Sequence, residues 1–574
     1  MKNDLRCKLL VIVALVVSMT AGLLLPVYAA NMEGKTVTAI TITGMNKVDE
    51  STIRGVVKIM PGDTLAADKV KQDLQAIYDL GYFFDVVANF AEVPEGVQVL
   101  YTVMENPKLT DIVVKGNTKV STDKIKELVT VSKDNILNSR TMNTNVRAIE
   151  QYYHDQGYIL AKVSDVAMSP GGVLTLTINE GILEGVVVKG NDKTKTHVIT
   201  REMKVKPGEA FNVKEAKRSM QKVYNLGYFE DVNMKLNPGK EPNAVVLETD
   251  VVEQKTGNFS IGGGYSKSDG LVGIIELGDN NFRGNGDKVK LHWEFGSTSY
   301  RNYEVSFTRP WLDSKQTSLS FSLYNMTNEY TDYYDGTSNE KATYDKNRRG
   351  FELTLGRPAG EFIQNYITFK NRKDTYKEWV SGVNYFNDPQ YLNDNFGLTR
   401  SITLTRVFDS RDNVFAPTEG ARYSLSAEFA GKGLGGDFSF NKYTGEARKY
   451  FKTGPDHVIA TKLMVGYATG HLADASRFAV GGSETLRGFK DDEFKGSKML
   501  TATAEYRFPI VSKVQGVVFS DIGNAWNGEG YKLTDLKVSG GVGIRVTTPI
   551  GPVRIDFARG NEGGRTHFSF GGQF

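Results

Sequence analysis

The chain has 574 residues, with 59 glycines against 16 prolines, 11% aromatic residues and a formal net charge of +3 at pH 7. That length exceeds what one hydrophobic core organises, so several domains are expected. The composition is one of strands and turns, and the small net charge excludes a nucleic-acid binder that lives on phosphate contacts.

The chain opens M-K-N-D-L-R-C-K, runs nearly all apolar from Leu9 to Val27, and offers small residues for cleavage in V-Y-A-A at 27–30. This is the pattern of a secretory signal peptide over residues 1–29. An uncleaved anchor is the competing reading, and Gly22, Pro26 and Ala29 favour cleavage. Cys7, the single cysteine, precedes the apolar run, so the exported chain is expected to hold no thiol. That excludes disulfides, cysteine catalysis and thiolate metal sites. Loss of Lys2, Asp4, Arg6 and Lys8 leaves a net charge of +1.

A repeat of about 70 to 75 residues follows. Its first landmark is a strand ending in glycine: T-A-I-T-I-T-G-M-N-K at 38–47, T-D-I-V-V-K-G-N-T-K at 110–119 and E-G-V-V-V-K-G-N-D-K at 184–193. Its second is an amphipathic helix ending in Gly-Tyr at Gly81, Gly157 and Gly227. Apolar stripes fall at Val70, Leu74 and Ile77, at Val146, Ile149 and Tyr153, and at Ala216, Met220 and Val223, the spacing of one helical face. The three glycines stand where a helix takes its left-handed stop. Each unit reads strand, helix, helix, strand, strand. The units read equally well as α/β spacers or as small sheets whose edges pair with an extended peptide.

After Glu253 the helical period gives way to alternation, as in Val289, Leu291, Trp293 and Phe295, or Val553, Ile555 and Phe557, with Arg545, Arg554 and Asp556 on the other parity. Such alternation over about ten residues is the signature of a transmembrane β-barrel. It also accounts for a mean hydropathy of only −0.33, because each lumen-facing polar residue offsets a lipid-facing one. At about twenty residues per strand and connection, residues 254–574 hold roughly sixteen strands. A soluble β-sandwich array is the alternative, and the uncapped final strand T-H-F-S-F-G-G-Q-F argues against it.

Enzymatic signatures are sparse. The six histidines show no H-E-x-x-H spacing, and neither G-x-S-x-G nor G-x-x-x-x-G-K occurs. D-S-R-D-N at 409–413 reads as a polar loop rather than a carboxylate pair. Neither an enzyme nor a cofactor is expected.

The three repeats resemble POTRA domains, and the C-terminal half resembles the sixteen-stranded barrel of the outer-membrane β-barrel assembly family that includes BamA and TamA. The stretch G-G-S-E-T-L-R-G-F at 481–489 is similar to that family's Arg-Gly-Phe motif on a loop folded into the lumen. N-N-F-R-G-N-G-D-K-V (280–289), D-S-R-D-N-V-F-A-P-T-E-G (409–420), A-E-Y-R-F-P (504–509) and F-S-D-I-G-N-A-W (519–526) match in the same order. The implied layout is POTRA domains at 35–105, 106–180 and 181–253, then a barrel over 254–574.

The resemblance implies an outer-membrane protein with periplasmic POTRA domains that folds and inserts β-barrel clients. Its partners would be unfolded clients, outer-membrane lipids and accessory assembly proteins. A TamA-like translocation role is the nearer alternative, and a passive porin is the alternative of another class. A two-partner secretion transporter fits less well, since those typically carry two POTRA domains. The implied lumen motif is Leu486, Arg487, Gly488 and Phe489. Glu505, placed inward because Ala504, Tyr506 and Phe508 share the lipid parity, and Asp521, at the family's second acidic position, are the expected partners of Arg487. A mobile surface charge is the plain alternative.

The seam between first and last strands would be the client's gate, formed by Gly262, Gly263, Gly264, Phe568, Phe570, Gly571, Gly572 and Phe574. Its glycines weaken cross-strand side-chain packing or merely relieve curvature.

Overall fold

The computed structural model describes residues 32–266, 270–295, 301–528, 530–548, 551–561 and 563–570. The expected signal peptide and Cys7, and with them Gly571, Gly572 and Phe574 of the expected gate, lie outside the described residues. Contacts divide the chain into two compact units. One holds the segments up to 186, 205–216 and 236–247; the other holds 187–204, 217–235 and the segments from 248 onward.

Each repeat is a strand, a short helix, a long helix and two strands. The first runs Val37–Thr43, Glu50–Arg54, Ala67–Tyr78, Phe83–Val93 and Gly96–Glu105; the second Asp111–Lys115, Thr122–Leu128, Ser139–Asp155, Lys162–Met168 and Val173–Asn179. The third runs Ile182–Lys189, Thr196–Thr200, Val213–Tyr224, Phe229–Pro238 and Ala244–Glu253. In every module the third strand is central, and in the first two it is parallel to the first strand and antiparallel to the second. The central strand carries the core. In the first module Val97, Val99, Tyr101 and Val103, two residues apart, are all buried and pack with Val70 and Ile77 of the long helix.

A carboxylate at the end of each central strand anchors the loop after the first strand. Glu105 accepts from the backbone N–H groups of Asn46, Lys47 and Val48 at 2.8, 2.9 and 2.8 Å. Glu180 accepts from those of Thr118 and Lys119, both at 2.8 Å, and Glu253 from those of Lys193 and Thr194 at 2.8 and 2.6 Å. Burial pushes the Glu105 carboxyl up, but the three amide donors outweigh it and hold it below the usual glutamate range. The loop opens at Gly44, Gly116 and Gly190, with φ of +94°, +79° and +81°. A Cβ at any of the three would collide with a carbonyl oxygen of its own central strand, at Val103, Ile178 or Val251.

Consecutive modules meet through an asparagine. The Asn138 side chain caps helix Ser139–Asp155 by accepting from the N–H groups of Arg140 and Thr141, and it donates to the carbonyl of Leu80 at 2.8 Å. The Ser139 amide donates to the carbonyl of Gly81. Asn212 repeats the arrangement, accepting from Lys214 N–H and donating to Gln156 O at 3.1 Å, while Val213 N–H donates to Gly157 O.

The rest of the chain is one sixteen-stranded antiparallel sheet, from Gly257–Ser266 to Gly563–Phe570, each strand paired with its neighbour in sequence save where the short pair Phe478–Val480 and Phe494–Gly496 steps out of it. Its outward parity is apolar, with Leu353, Ile367, Leu404, Leu425, Val518, Val542 and Phe557 exposed. The other parity is polar and buried, and includes Arg372, Asp374, Lys462, Thr503 and Glu505. The sheet is curled, since one loop bonds both to its last strand and to its fifth and sixth. Among the described residues no ladder joins Gly257–Ser266 to Gly563–Phe570, and these two strands are the edges. Gly262, Gly263 and Gly264 pair with Ile274, Gly273 and Val272 of the second strand.

Candidate functional site

The inward loop leaves strand His457–His471 and returns at strand Lys498–Val511. Phe478–Val480 pairs antiparallel with Phe494–Gly496, closing the loop at its neck. Gly481 and Gly482, with φ of +130° and +84°, turn the chain, and Thr485 Oγ1 donates to Gly481 O and accepts from its N–H. Leu486 and Phe489 are buried in the apolar cluster with Phe478, Val480 and Phe494. The tip thus stands on a hydrophobic cluster shared with the sheet wall, where Phe440, Ala468 and Met499 pack.

Arg487 has no exposed surface. Its Nε and Nη2 donate to the two oxygens of Asp521 at 2.7 and 2.9 Å, and its backbone N–H donates to Asp521 Oδ2 at 3.1 Å. Nη1 reaches Glu505 at 3.2 Å and Asp556 at 3.4 Å. The guanidinium lies 3.3 Å from the Phe519 ring centre, a cation–π contact on the face its hydrogen bonds leave free. Arg507 Nε donates to Glu505 at 2.8 Å, and Arg545 bridges Glu505 at 3.1 Å and Asp556 at 2.7 Å. Three guanidiniums thus meet three carboxylates, a balance that a buried charge requires.

Of the residues singled out in the sequence, Leu486, Arg487, Gly488, Phe489, Glu505 and Asp521 come together here. Asp556, Arg507, Arg545 and Phe519 complete the cluster and were not assigned to it from the sequence. Gly488 has φ of +89°, and its N–H donates to His567 Nε2 of the last strand at 2.9 Å. Gly560 of the neighbouring strand leaves room for the Phe489 ring, which a Cβ there would strike at 2.7 Å. The loop therefore braces the final strands from inside. Of the expected gate residues, Phe568 projects outward and is exposed.

The loop also touches the sheet's other half. Lys495 pairs with Asp332 at 2.7 Å, Lys490 with Glu340 at 2.9 Å and Asp474 with Lys346 at 3.4 Å. Glu484 pairs with Arg554, and its backbone carbonyl accepts from Lys462 Nζ at 2.9 Å. At the end of the sheet where the chain enters it, residues of the third module meet the strand connections. Lys204 and Arg218 both bond Glu361, at 2.6 and 3.2 Å, and Trp311 Nε1 donates to Glu202 at 2.7 Å. Burial pushes the Glu361 carboxyl up, but the hydrogen bond and charge of Lys204, with those of Arg218, outweigh it and draw it below the usual 4.5. D-S-R-D-N at 409–413 belongs to one of these turns, where Asn225 accepts from Val414 N–H at 3.3 Å.

Residues 281–574 match the model of the Omp85 superfamily domain, and residues 35–106, 107–181 and 182–254 each match the POTRA model, described as a surface antigen variable number repeat. The chain is 26% identical to the outer membrane protein assembly factor BamA of Nitratidesulfovibrio vulgaris, over 93% of this chain and 72% of that one. It is 24% identical to the chloroplastic outer envelope protein 80 of Arabidopsis thaliana, over 88% of this chain and 72% of that one. Among solved structures, CdiB from Escherichia coli shares the fold with a TM-score of 0.57 at 16% identity, covering 88% of this chain and 96% of that one.

Proposed function

The chain belongs to the Omp85 superfamily, and from that premise we propose that it folds and inserts β-barrel proteins into an outer membrane, its three POTRA modules receiving unfolded clients on the periplasmic side. The client's strands then pair at the seam between Gly257–Ser266 and Gly563–Phe570. The observation that carries this reading is the pair of sheet edges, which among the described residues no ladder closes. In lipid, an unpaired N–H or C=O costs several kcal/mol, so an edge that opens there is a strong template for an incoming strand. No energy source is needed, because the client gains the hydrogen bonds that the edge lacks.

The inward loop suits this mechanism. With Arg487 tied to the strands of Glu505, Asp521 and Asp556, and Gly488 tied to His567, the last strands stay registered while the seam parts. A passive diffusion pore does not need the three POTRA modules that precede this loop. The test is depletion of the protein followed by measurement of other outer-membrane barrels. Their loss, with misfolded precursors accumulating in the periplasm, is the expected result; unchanged barrels would refute the assembly role.

A further inference from the structure

A group of cations stands on the outer, lipid-facing side of the sheet. In strand Glu340–Pro358 the outward parity runs Leu355, Leu353, Phe351, Arg349; in Ile363–Gly382 it runs Ile367, Phe369, Asn371, Lys373; in Gly397–Asp409 it runs Leu404, Ile402, Arg400. The apolar members come first from the end that holds Glu361 and the third module. The cations therefore lie just beyond the apolar band, toward the opposite leaflet.

Arg349 and Lys373 are direct cross-strand partners, and both are exposed. Arg400 pairs with Asn371, one outward position from Lys373, and donates from Nε to Asn371 Oδ1 at 2.9 Å. Among the described residues none of the three cations has a carboxylate partner. The nearest acid of this face on their strand pair, Asp345, stands four residues farther out, about 13 Å along the strand, opposite Glu329 on one neighbour and Glu378 on the other. Like charges directly opposite on a sheet repel, and near the membrane little bulk water screens them. An anion between them removes the conflict.

We propose that Arg349, Lys373 and Arg400 form a binding site for the anionic phosphate headgroup of a membrane lipid, in the leaflet distal to the end of the sheet that holds Glu361. Two guanidiniums present forked donors that match phosphate oxygens, and Lys373 adds a point charge between them. The exposed apolar residues directly beneath, Leu353, Leu355 and Ile367, line the path of that lipid's acyl chains. This position commits the site to a lipid rather than to a soluble anion.

The full chain is placed in nanodiscs of equal phosphatidylcholine and phosphatidylglycerol, and native mass spectrometry counts the lipids it retains on release. The wild type should keep phosphatidylglycerol over phosphatidylcholine by about five-fold or more. Arg349→Gln with Lys373→Gln should bring that ratio close to one, while Lys124→Gln with Lys189→Gln, at exposed cations of the POTRA modules, leaves it unchanged. If the double variant does not fold, judged by heat-dependent gel mobility, Lys373→Gln alone must lower the ratio at least about two-fold. Equal retention by the wild type, or a ratio indifferent to these variants, overturns the proposal. Displacement of phosphatidylglycerol by millimolar inorganic phosphate overturns its assignment to a lipid.

Discussion

Arg487 and Asp521 form a bidentate pair, Nε and Nη2 to the two carboxylate oxygens at 2.7 and 2.9 Å, with neither side chain exposed. The pair joins a loop to a strand 34 residues away in sequence, and the backbone N–H of Arg487 adds a third bond to the same carboxylate. A single residue therefore fixes both the position and the orientation of the loop tip.

Replacing it should be costly. Arg487→Ala leaves Glu505, Asp521 and Asp556 facing only Arg507 and Arg545, and breaking a buried pair in this way costs about 3–5 kcal/mol. The expected outcome is a clear fall in the temperature at which the folded band is lost in heat-modifiability gels. Arg487→Lys should fall between, since an ammonium keeps the charge but not the fork.

The Glu180 anchor predicts a local effect. Glu180→Gln keeps the shape of the side chain but removes the charge that strengthens its bonds to Thr118 and Lys119, at a cost of about 1–2 kcal/mol. Hydrogen exchange at those two amides should accelerate by about ten-fold or more. Amides in the first module, anchored by Glu105, should be unaffected.

The Gly157 joint predicts strain. A side chain there meets both a φ of +100° and the Asn212 amide. Gly157→Ala should cost on the order of 1–3 kcal/mol. Hydrogen exchange at Lys214 and Glu215, the amides at the start of the next module's long helix, reports it.

Glu361 predicts a pH dependence. Its carboxyl titrates below 4.5 when paired with Lys204 and Arg218. A depressed folded-state pKa means that the contribution is fully present above the ordinary glutamate value and is lost as pH falls through the lowered one. Contact between the third POTRA module and the turn holding Glu361 should therefore be constant from neutral pH down to the ordinary glutamate value and weaken as pH falls below it. Crosslinking between Lys204 and Glu361 by a carboxyl-activating reagent, compared with Glu361→Gln across that range, checks it.

Much of this architecture was legible in the chain. The helical stripes ending at Ile77, Tyr153 and Val223 and the glycines after them mark the repeats, because a helix that buries one face must show its period. The barrel parity around Glu505 was equally open, since Ala504 and Tyr506 flank it. Around Asp521 the alternation is hidden for a physical reason: Val517 and Phe519 point inward although apolar, Phe519 forming the face on which Arg487 stacks. Asp556 escaped for another reason. Its contact with Arg487 crosses 69 residues and depends on the curl of the sheet, which no local pattern encodes. The glutamates at 105, 180 and 253 were not singled out, because nothing local marks them; their role appears only in the loop amides of Asn46, Thr118 and Lys193 that surround them.

If a client enters through the proposed seam, joining the two edge strands must block it. Ile261→Cys and Phe568→Cys, in a chain without Cys7, place one thiol on each edge strand, and a short cleavable bis-maleimide joins them. Insertion of an unfolded barrel client by the reconstituted protein into liposomes is then measured before and after cleavage of the linker. The joined protein should insert no more client than empty liposomes and regain activity when the linker is cut. Full insertion by the joined protein would contradict entry through the seam.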